Sequence, residues 1–163
     1  DTAFYYDLIT KLRAKFENAS ITTDIMVGFA GETEEEFLET CRFAEKVGFA
    51  KIHVFSYSVR EGTAAAKRTD HIPENVKNER YKILSDIDSR LHGAFFASQV
   101  GTVQEILIEK RKSSDYVNGY TPNYTPVRIY GADISRHSIV RVKITGTENG
   151  YCVGEEMRDK NEA

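Results

Sequence analysis

The side chains of this sequence that could do chemistry fall in three groups. The first is Gly28-Phe29-Ala30-Gly31-Glu32-Thr33, which follows an apolar, partly β-branched run. Glycines let a backbone approach a ligand closely, and a helix starting just beyond them offers free N–H groups. A ligand site and a plain strand-to-helix turn both fit so short a Gly-x-x-Gly. The second group is Phe55-Ser56-Tyr57-Ser58-Val59-Arg60-Glu61-Gly62-Thr63, where hydroxyls, an arginine and a glycine gather just past another strand-like run. The planar fork of Arg60 suits a carboxylate or another anion, with a solvated surface loop as the alternative. The third group is basic and aromatic: Lys110, Arg111, Lys112, Tyr116, Tyr120, Asn123, Tyr124, Arg128, Arg141 and Lys143. Cations track phosphates and exposed tyrosines stack on bases, so these are candidate RNA-binding residues. The alternative is that the tyrosines fill a small core and the cations solvate its rim.

Other groups are set aside on physical grounds. Glu34-Glu35-Glu36 lies where a helix begins, and acidic residues in a first turn favour the helix dipole. His53 falls among strand residues and is expected to be packed or inter-strand, while His71, His92 and His137 lack partners at metal-ligand spacing. No metal site is expected. The two cysteines, Cys41 and Cys152, are too far apart in sequence for a CxxC motif and are expected to be reduced thiols in packing roles.

The elements that position these groups change character along the chain. Residues 3–18 read as a helix with Tyr5, Leu8, Ile9, Leu12 and Phe16 on one face. A strand over 21–29 leads to Thr33 and Glu36, spaced as a capping box. The helix they open should turn Phe37, Cys41, Ala44 and Val47 inward and stop at Gly48. A strand over 51–57 completes a strand–helix–strand unit, whose strands should be parallel. Further strands are expected before residue 1, because a lone parallel pair leaves its edges bare. Pro73 precedes a helix over 74–97 whose apolar side is Val76, Ile83, Leu84, Ile87, Leu91 and Phe95. After Gly101 short alternating strands follow at 103–109, 116–120, 127–130, 139–144 and 151–154, with turns expected at 113–115, 122–126, 131, 146 and 149–150. Val140, Val142 and Ile144 alternate with Arg141 and Lys143, the pattern of a strand with one wet face. Five such strands suggest a small barrel of the OB kind. The expected domains are 1–97 and 98–157, with a polar tail at 158–163.

Composition bounds the class. Hydrophobic residues are 40% and charged residues 29% of 163, ordinary for a globular protein. No apolar run approaches the ~20 residues of a membrane span, and no basic-then-apolar leader is present, so a cytoplasmic protein without a membrane partner is expected. The sequence opens at Asp1 with no methionine, as a piece of a longer chain would. The net charge of −3 hides a split: residues 1–97 hold 13 Lys/Arg against 16 Asp/Glu, and residues 98–150 hold 7 against 5. That is a weak basic bias in the β-rich part.

Thr23-Asp24-Ile25-Met26-Val27-Gly28-Phe29-Ala30-Gly31-Glu32-Thr33 resembles the "TD-hydrophobic-GFPGET" segment of the radical-SAM methylthiotransferases. Tyr57-Ser58-Val59-Arg60-Glu61-Gly62-Thr63-Ala64-Ala65 is similar to their "YSxRxGTxA" segment, and the β-rich part looks like their TRAM domain. The resemblance implies the C-terminal part of a radical-SAM α/β barrel followed by an RNA-binding OB-like barrel. It implies an enzyme that puts a methylthio group on the 2-position of a modified adenosine beside the tRNA anticodon. S-adenosylmethionine and two 4Fe-4S clusters would be its cofactors, and an electron donor and the anticodon stem-loop its partners. Gly28, Gly31 and Glu32 would help shape the S-adenosylmethionine pocket, the backbone from Phe55 through Tyr57 to Ser58 would run along the adenine, and Arg60 would lie near the S-adenosylmethionine or substrate end of the barrel. Ala30 stands where the family usually has proline. Gly119-Tyr120-Thr121-Pro122-Asn123-Tyr124-Thr125-Pro126-Val127 resembles the subgroup acting on threonylcarbamoyladenosine. Enzymes for isopentenyladenosine or for a ribosomal protein are the sibling readings, and a non-catalytic RNA-binding module is the reading from another class. The CxxxCxxC triad that holds the SAM-cleaving cluster is not in this sequence. These 163 residues are therefore expected to bind neither cofactor nor cluster, to hold no catalytic residue and to be inert alone.

Overall fold

The computed structural model describes residues 1–111, 115–131 and 134–157, with the backbone alone at Lys110 and Arg111. The elements are α1 (Thr2–Lys15), β1 (Thr22–Val27), α2 (Glu34–Val47), β2 (Lys51–Ser56), a 3-10 turn (Ala65–Lys67) and α3 (Glu74–Gln99). They are followed by β3 (Val103–Arg111), β4 (Tyr116–Tyr120), β5 (Pro126–Tyr130), β6 (Ile139–Glu148) and β7 (Tyr151–Glu156). The chain divides into two compact units, Asp1–His92 and the part from Gly93 onward, so the division falls inside α3.

In the first unit β1 and β2 pair in parallel, from Thr22 opposite Lys51 to Val27 opposite Ser56. The helix between them is closed at both ends by the expected residues. The Glu36 N–H donates to Thr33 Oγ1 at 3.2 Å, and the Thr33 N–H donates to Glu36 Oε2 at 2.8 Å. Gly48 takes a left-handed φ of 66°, and its N–H donates to the Ala44 carbonyl. Arg13 of α1 then donates to the carbonyls of Val47 and Gly48 at 2.6 and 2.7 Å, satisfying acceptors the helix leaves open. Phe37, Cys41, Ala44 and Val47 point into a core completed by Ile9, Val27, Phe49, Ile52, Leu84 and Ile87. The other face of the sheet carries Asp24, Met26, His53 and Phe55, all exposed. His53, expected to be packed or inter-strand, takes the inter-strand place: it stands opposite Asp24 on the exposed face, because Ile52 and Val54 take the covered side of β2.

Two helices differ from their sequence reading. The first ends at Lys15, and Phe16 turns extended at φ −117°, ψ 101°, which takes it off the helical face and leaves it exposed. Leu8 is exposed as well, so the packed face is Tyr5, Tyr6, Ile9 and Leu12. In α3 the buried positions of the first unit are Arg80, Leu84, Ile87 and Asp88, with Phe96 and Gln99 buried in the second, whereas Ile83 is exposed. Asp88 accepts from the Ile52 N–H at 2.7 Å and pairs with Lys51, pinning the start of β2.

The second unit is a closed barrel in the order β3-β4-β5-β7-β6, parallel only between β5 and β7. This is the five-stranded arrangement of the OB kind, and closure leaves no free edge. Ile106, Ile108, Val117, Val127, Ile129, Val142, Ile144 and Cys152 fill it, with Phe96 and Ile134. Arg141 and Lys143 point outward as the alternation required. Gly119 faces inward where a Cβ would meet the Leu107 carbonyl, so only glycine fits. Gly146, expected in a turn, lies within β6 at an irregularity between Ile144 and Gly146, the place where a glycine commonly re-aims a strand.

Candidate functional site

The ends of β1 and β2 carry the first two groups. Gly28 and Gly31 adopt φ of 73° and 81°, the left-handed region that favours glycine. A Cβ at Gly28 would collide with the side chain of Lys77, and one at Gly31 with Arg68 and Asp70. In this structure the close approach that the glycines permit is thus made by side chains of the same chain. Glu32 is drawn inward: its Oε2 accepts from the Gly28 N–H at 2.7 Å and from Arg80 at 2.7 Å. Arg80, 6% exposed, also donates to the Glu32 carbonyl at 3.0 Å, pairs with Glu34 at 3.2 Å and lies over the Phe37 ring. Lys77 donates to the Tyr57 carbonyl at 3.2 Å, which ties the end of β2 to the helix that braces Gly28. The Arg68–Asp70 pair holds the Asp70 carboxyl down at about 2, and the Asp70 carbonyl accepts from the Gly31 N–H at 2.9 Å.

The expected ligand residues line two depressions. Phe55, Tyr57, Ser58 and Arg60 share one of about 390 Å³ with Met26, Ser56, Thr63 and Ala65. Gly31 and Glu32 line a larger cleft of about 870 Å³ beside α1 and α2, with Thr23, Ile25, Phe29, Phe43 and Arg68. Tyr57 packs edge-on to Phe29 with ring centres 5.0 Å apart, and its buried hydroxyl has no hydrogen-bond partner among the described residues. The bracing residues Lys77, Arg80 and Asp88 were missed in the sequence. Their signal was charge recurring in register with the apolar positions of α3, where only apolar residues were counted.

On the barrel, the expected RNA-binding residues separate. The face of β4 and β5, where OB barrels hold oligonucleotides, is filled from within. There Arg128 lies between the rings of Tyr116 and Tyr151, 4.4 Å from each centre, and 3.8 Å from Glu148. Tyr130 completes the cluster, edge-on to Tyr116 and donating to Glu148 at 3.0 Å. Tyr151 was not foreseen; it directly follows the turn glycine Gly150 and reads as an ordinary strand residue. Asn123 is used inside its own loop: its Oδ1 accepts from the Thr121 and Thr125 hydroxyls, and its Nδ2 donates to Gln99. Tyr120 and Tyr124 stand on the outer surface with ring centres 5.3 Å apart, and Arg141 and Lys143 are exposed on β6. Of the basic cluster, Lys112 lies outside the described residues, and Lys110 and Arg111 are placed only as strand backbone.

The donor set does not fit an iron–sulfur cluster, which needs three or four converging thiolates. Cys41 is buried in the core of the first unit and Cys152 in that of the barrel. Burial pushes the Cys41 thiol up and that of Cys152 up to about 11, against thiolate formation. Among the described residues no group of three or more His, Cys, Asp or Glu could hold a metal ion, and no helix is long and apolar enough to cross a membrane.

The barrel has the five-stranded OB arrangement, and the sequence pattern described as the TRAM domain matches residues 97–155. The chain is 39% identical over 88% of its length to the tRNA-2-methylthio-N(6)-dimethylallyladenosine synthase of Oceanobacillus iheyensis, covering 28% of that protein. It is 38% identical over 95% of its length to the threonylcarbamoyladenosine tRNA methylthiotransferase MtaB of Bacillus subtilis, covering 35% of it. The tRNA-2-methylthio-N(6)-dimethylallyladenosine synthase of Bacillus subtilis is 37% identical over 98% of the chain and 33% of its own length. By sequence the chain carries a TRAM domain and is similar across nearly its whole length to tRNA methylthiotransferases, and it spans about a third of the length of these curated relatives.

Proposed function

We propose that these residues are the RNA-binding and partial cofactor-binding portion of a tRNA methylthiotransferase that modifies the 2-position of threonylcarbamoyladenosine next to the anticodon. The carrying observation is similarity at 36–39% identity, across nearly the whole chain, to enzymes whose names specify that chemistry on tRNA. The first unit then belongs to a radical-SAM barrel, and the exposed sheet face with Asp24, Met26, His53 and Phe55 is its inner surface. S-adenosylmethionine would lie against the depression of Phe55, Tyr57, Ser58 and Arg60, whose mix of ring surface, hydroxyl and guanidinium suits a nucleoside joined to an amino acid. When bound, that cofactor and the clusters supply the radical and sulfur chemistry. What these residues do is bind and orient. Gly31 and Glu32 hold the neighbouring strand end, fixed by Arg80. The cluster ligands lie outside this sequence, so the chain by itself would be inert while keeping affinity for the anticodon stem-loop. An electron donor would be a partner of the whole enzyme.

The choice of threonylcarbamoyladenosine rests on residues 119–127, which resemble that subgroup. The dimethylallyladenosine reading is favoured by the 39% match to a synthase of that name. Mass spectrometry of tRNA nucleosides from a host lacking the gene separates them. Loss of the methylthio group from threonylcarbamoyladenosine, with the dimethylallyl nucleoside intact, is expected; the reverse pattern overturns the assignment.

A further inference from the structure

The hairpin loop between β4 and β5 is built to present one side chain. Tyr124 adopts φ 67°, a left-handed conformation that costs an aromatic residue energy. The loop holds it there. The Tyr124 N–H donates to the Thr121 carbonyl at 2.9 Å, the Thr125 N–H to Thr121 Oγ1 at 2.9 Å, and the Thr121 N–H to the Thr125 carbonyl at 3.1 Å. The ring so placed is 78% exposed. Strain held by several bonds to expose an aromatic surface is a pattern of binding sites rather than of cores.

Beside it runs an apolar row set by strand register. Leu107 of β3 is paired with Tyr120 of β4 on one side and with Ile139 of β6 on the other. Two strand spacings make the row about 10 Å long. Leu107 and Ile139 are 44% and 66% exposed. With Tyr124 they line a depression of about 280 Å³ whose rim carries Glu105 and Glu109. Beyond Ile139, the same outward face of β6 carries Arg141 and Lys143.

We infer that this depression is the seat of a single unstacked RNA base bearing an exocyclic amino group, a reading that rests on the barrel being an RNA-binding module. Two splayed tyrosine rings and an aliphatic floor accept the flat face of a base. The two carboxylates exclude the phosphate and accept hydrogen bonds from an amino group, as carboxylates do from cytosine N4. The phosphate of the same nucleotide then falls toward Arg141 and Lys143. Tyr120 stands four residues along β4 from Tyr116, so the seat lies at the other end of that strand from the Tyr116–Arg128–Tyr151 stack.

The test is fluorescence anisotropy of the 163-residue chain with single-stranded oligo(C) and oligo(U), whose rings are alike in size and differ on one edge. Cytosine has a 4-amino group beside a bare N3 and uracil a 4-carbonyl beside N3–H, which leaves uracil a single donor flanked by two carbonyls that repel carboxylates. Oligo(C) should bind about tenfold tighter than oligo(U). Tyr124→Asn, which tolerates the left-handed backbone, should weaken both about tenfold. Glu105→Gln with Glu109→Gln should bring the two affinities within about twofold, because an amide can donate as well as accept. The glutamine pair lies on the surface and tests the seat even if Tyr124→Asn fails to fold. Equal binding of the two oligomers, or a preference unmoved by the glutamine pair, overturns the inference and leaves RNA binding standing. Failure to bind any oligomer or stem-loop overturns the RNA-binding reading itself.

Discussion

Arg80 is the side chain on which the first candidate site depends most, and Arg80→Met tests that dependence. Methionine keeps much of the stem's volume, so the change isolates the guanidinium. Lost with it are the 2.7 Å pair to Glu32, the 3.0 Å bond to the Glu32 carbonyl and the 3.2 Å pair to Glu34. The Glu32 carboxylate remains 15% exposed and keeps the hydrogen bond from the Gly28 N–H. Breaking a buried pair from one side costs roughly 3–5 kcal/mol. Water reaches Glu32, and the buried Arg80 Nε has no partner to lose, so the lower end, about 3 kcal/mol, applies. For a unit of this size that is a fall in Tm of roughly 12–24 °C. Urea melts followed by circular dichroism give the free energy, and thermal melts the shift. Adding Glu32→Gln should recover part of the loss, since the stranded charge is gone. A loss under about 1 kcal/mol for Arg80→Met, or no recovery in the double variant, would refute the brace.

Two further outcomes follow from titratable groups. The Thr33 backbone N–H and then its hydroxyl lower the Glu36 pKa below its ordinary 4.5, and Arg68 lowers that of Asp70 from 3.8 to about 2. Depressed carboxyls stabilise fully above their unfolded values and lose that contribution as pH falls through the folded ones. Thermal melts should therefore lose stability between about pH 4.5 and 2, and Thr33→Ala should trim only the hydroxyl's part of the Glu36 share, since alanine keeps the backbone N–H. On top of that comes a pH-independent cap loss of about 1 kcal/mol; a Thr33→Ala difference that grows above pH 6 contradicts this. With both thiols buried and raised, native protein at pH 8 should react with a thiol reagent only as fast as it opens, and both cysteines at once in urea. Rapid labelling of Cys152 in the native state would mean the barrel is not closed around it.

What the sequence determined by itself is whatever depends on near neighbours. Thr33 and Glu36 are three residues apart, so their capping box forms wherever the helix does, and Gly48 ends that helix for the same local reason. The alternation of Val142 and Ile144 with Arg141 and Lys143 fixed which face of β6 is wet. The Gly-rich and Tyr-Ser-x-Arg segments pointed to the family because ligand-shaping turns tolerate few residues. What only the tertiary structure decided depends on partners distant along the chain. Arg80 is 48 residues from Glu32, and Asp88 is 36 from Ile52. Nothing local shows that such charges turn inward, since burial becomes affordable only when the partner arrives. The tyrosines divided the same way. Register across three strands set Tyr120, Leu107 and Ile139 in one exposed row, while Arg128 was drawn between Tyr116 and Tyr151, 23 residues further on than itself in the second case. Composition supplied the aromatic and basic residues, and strand pairing settled which of them face outward and which face each other.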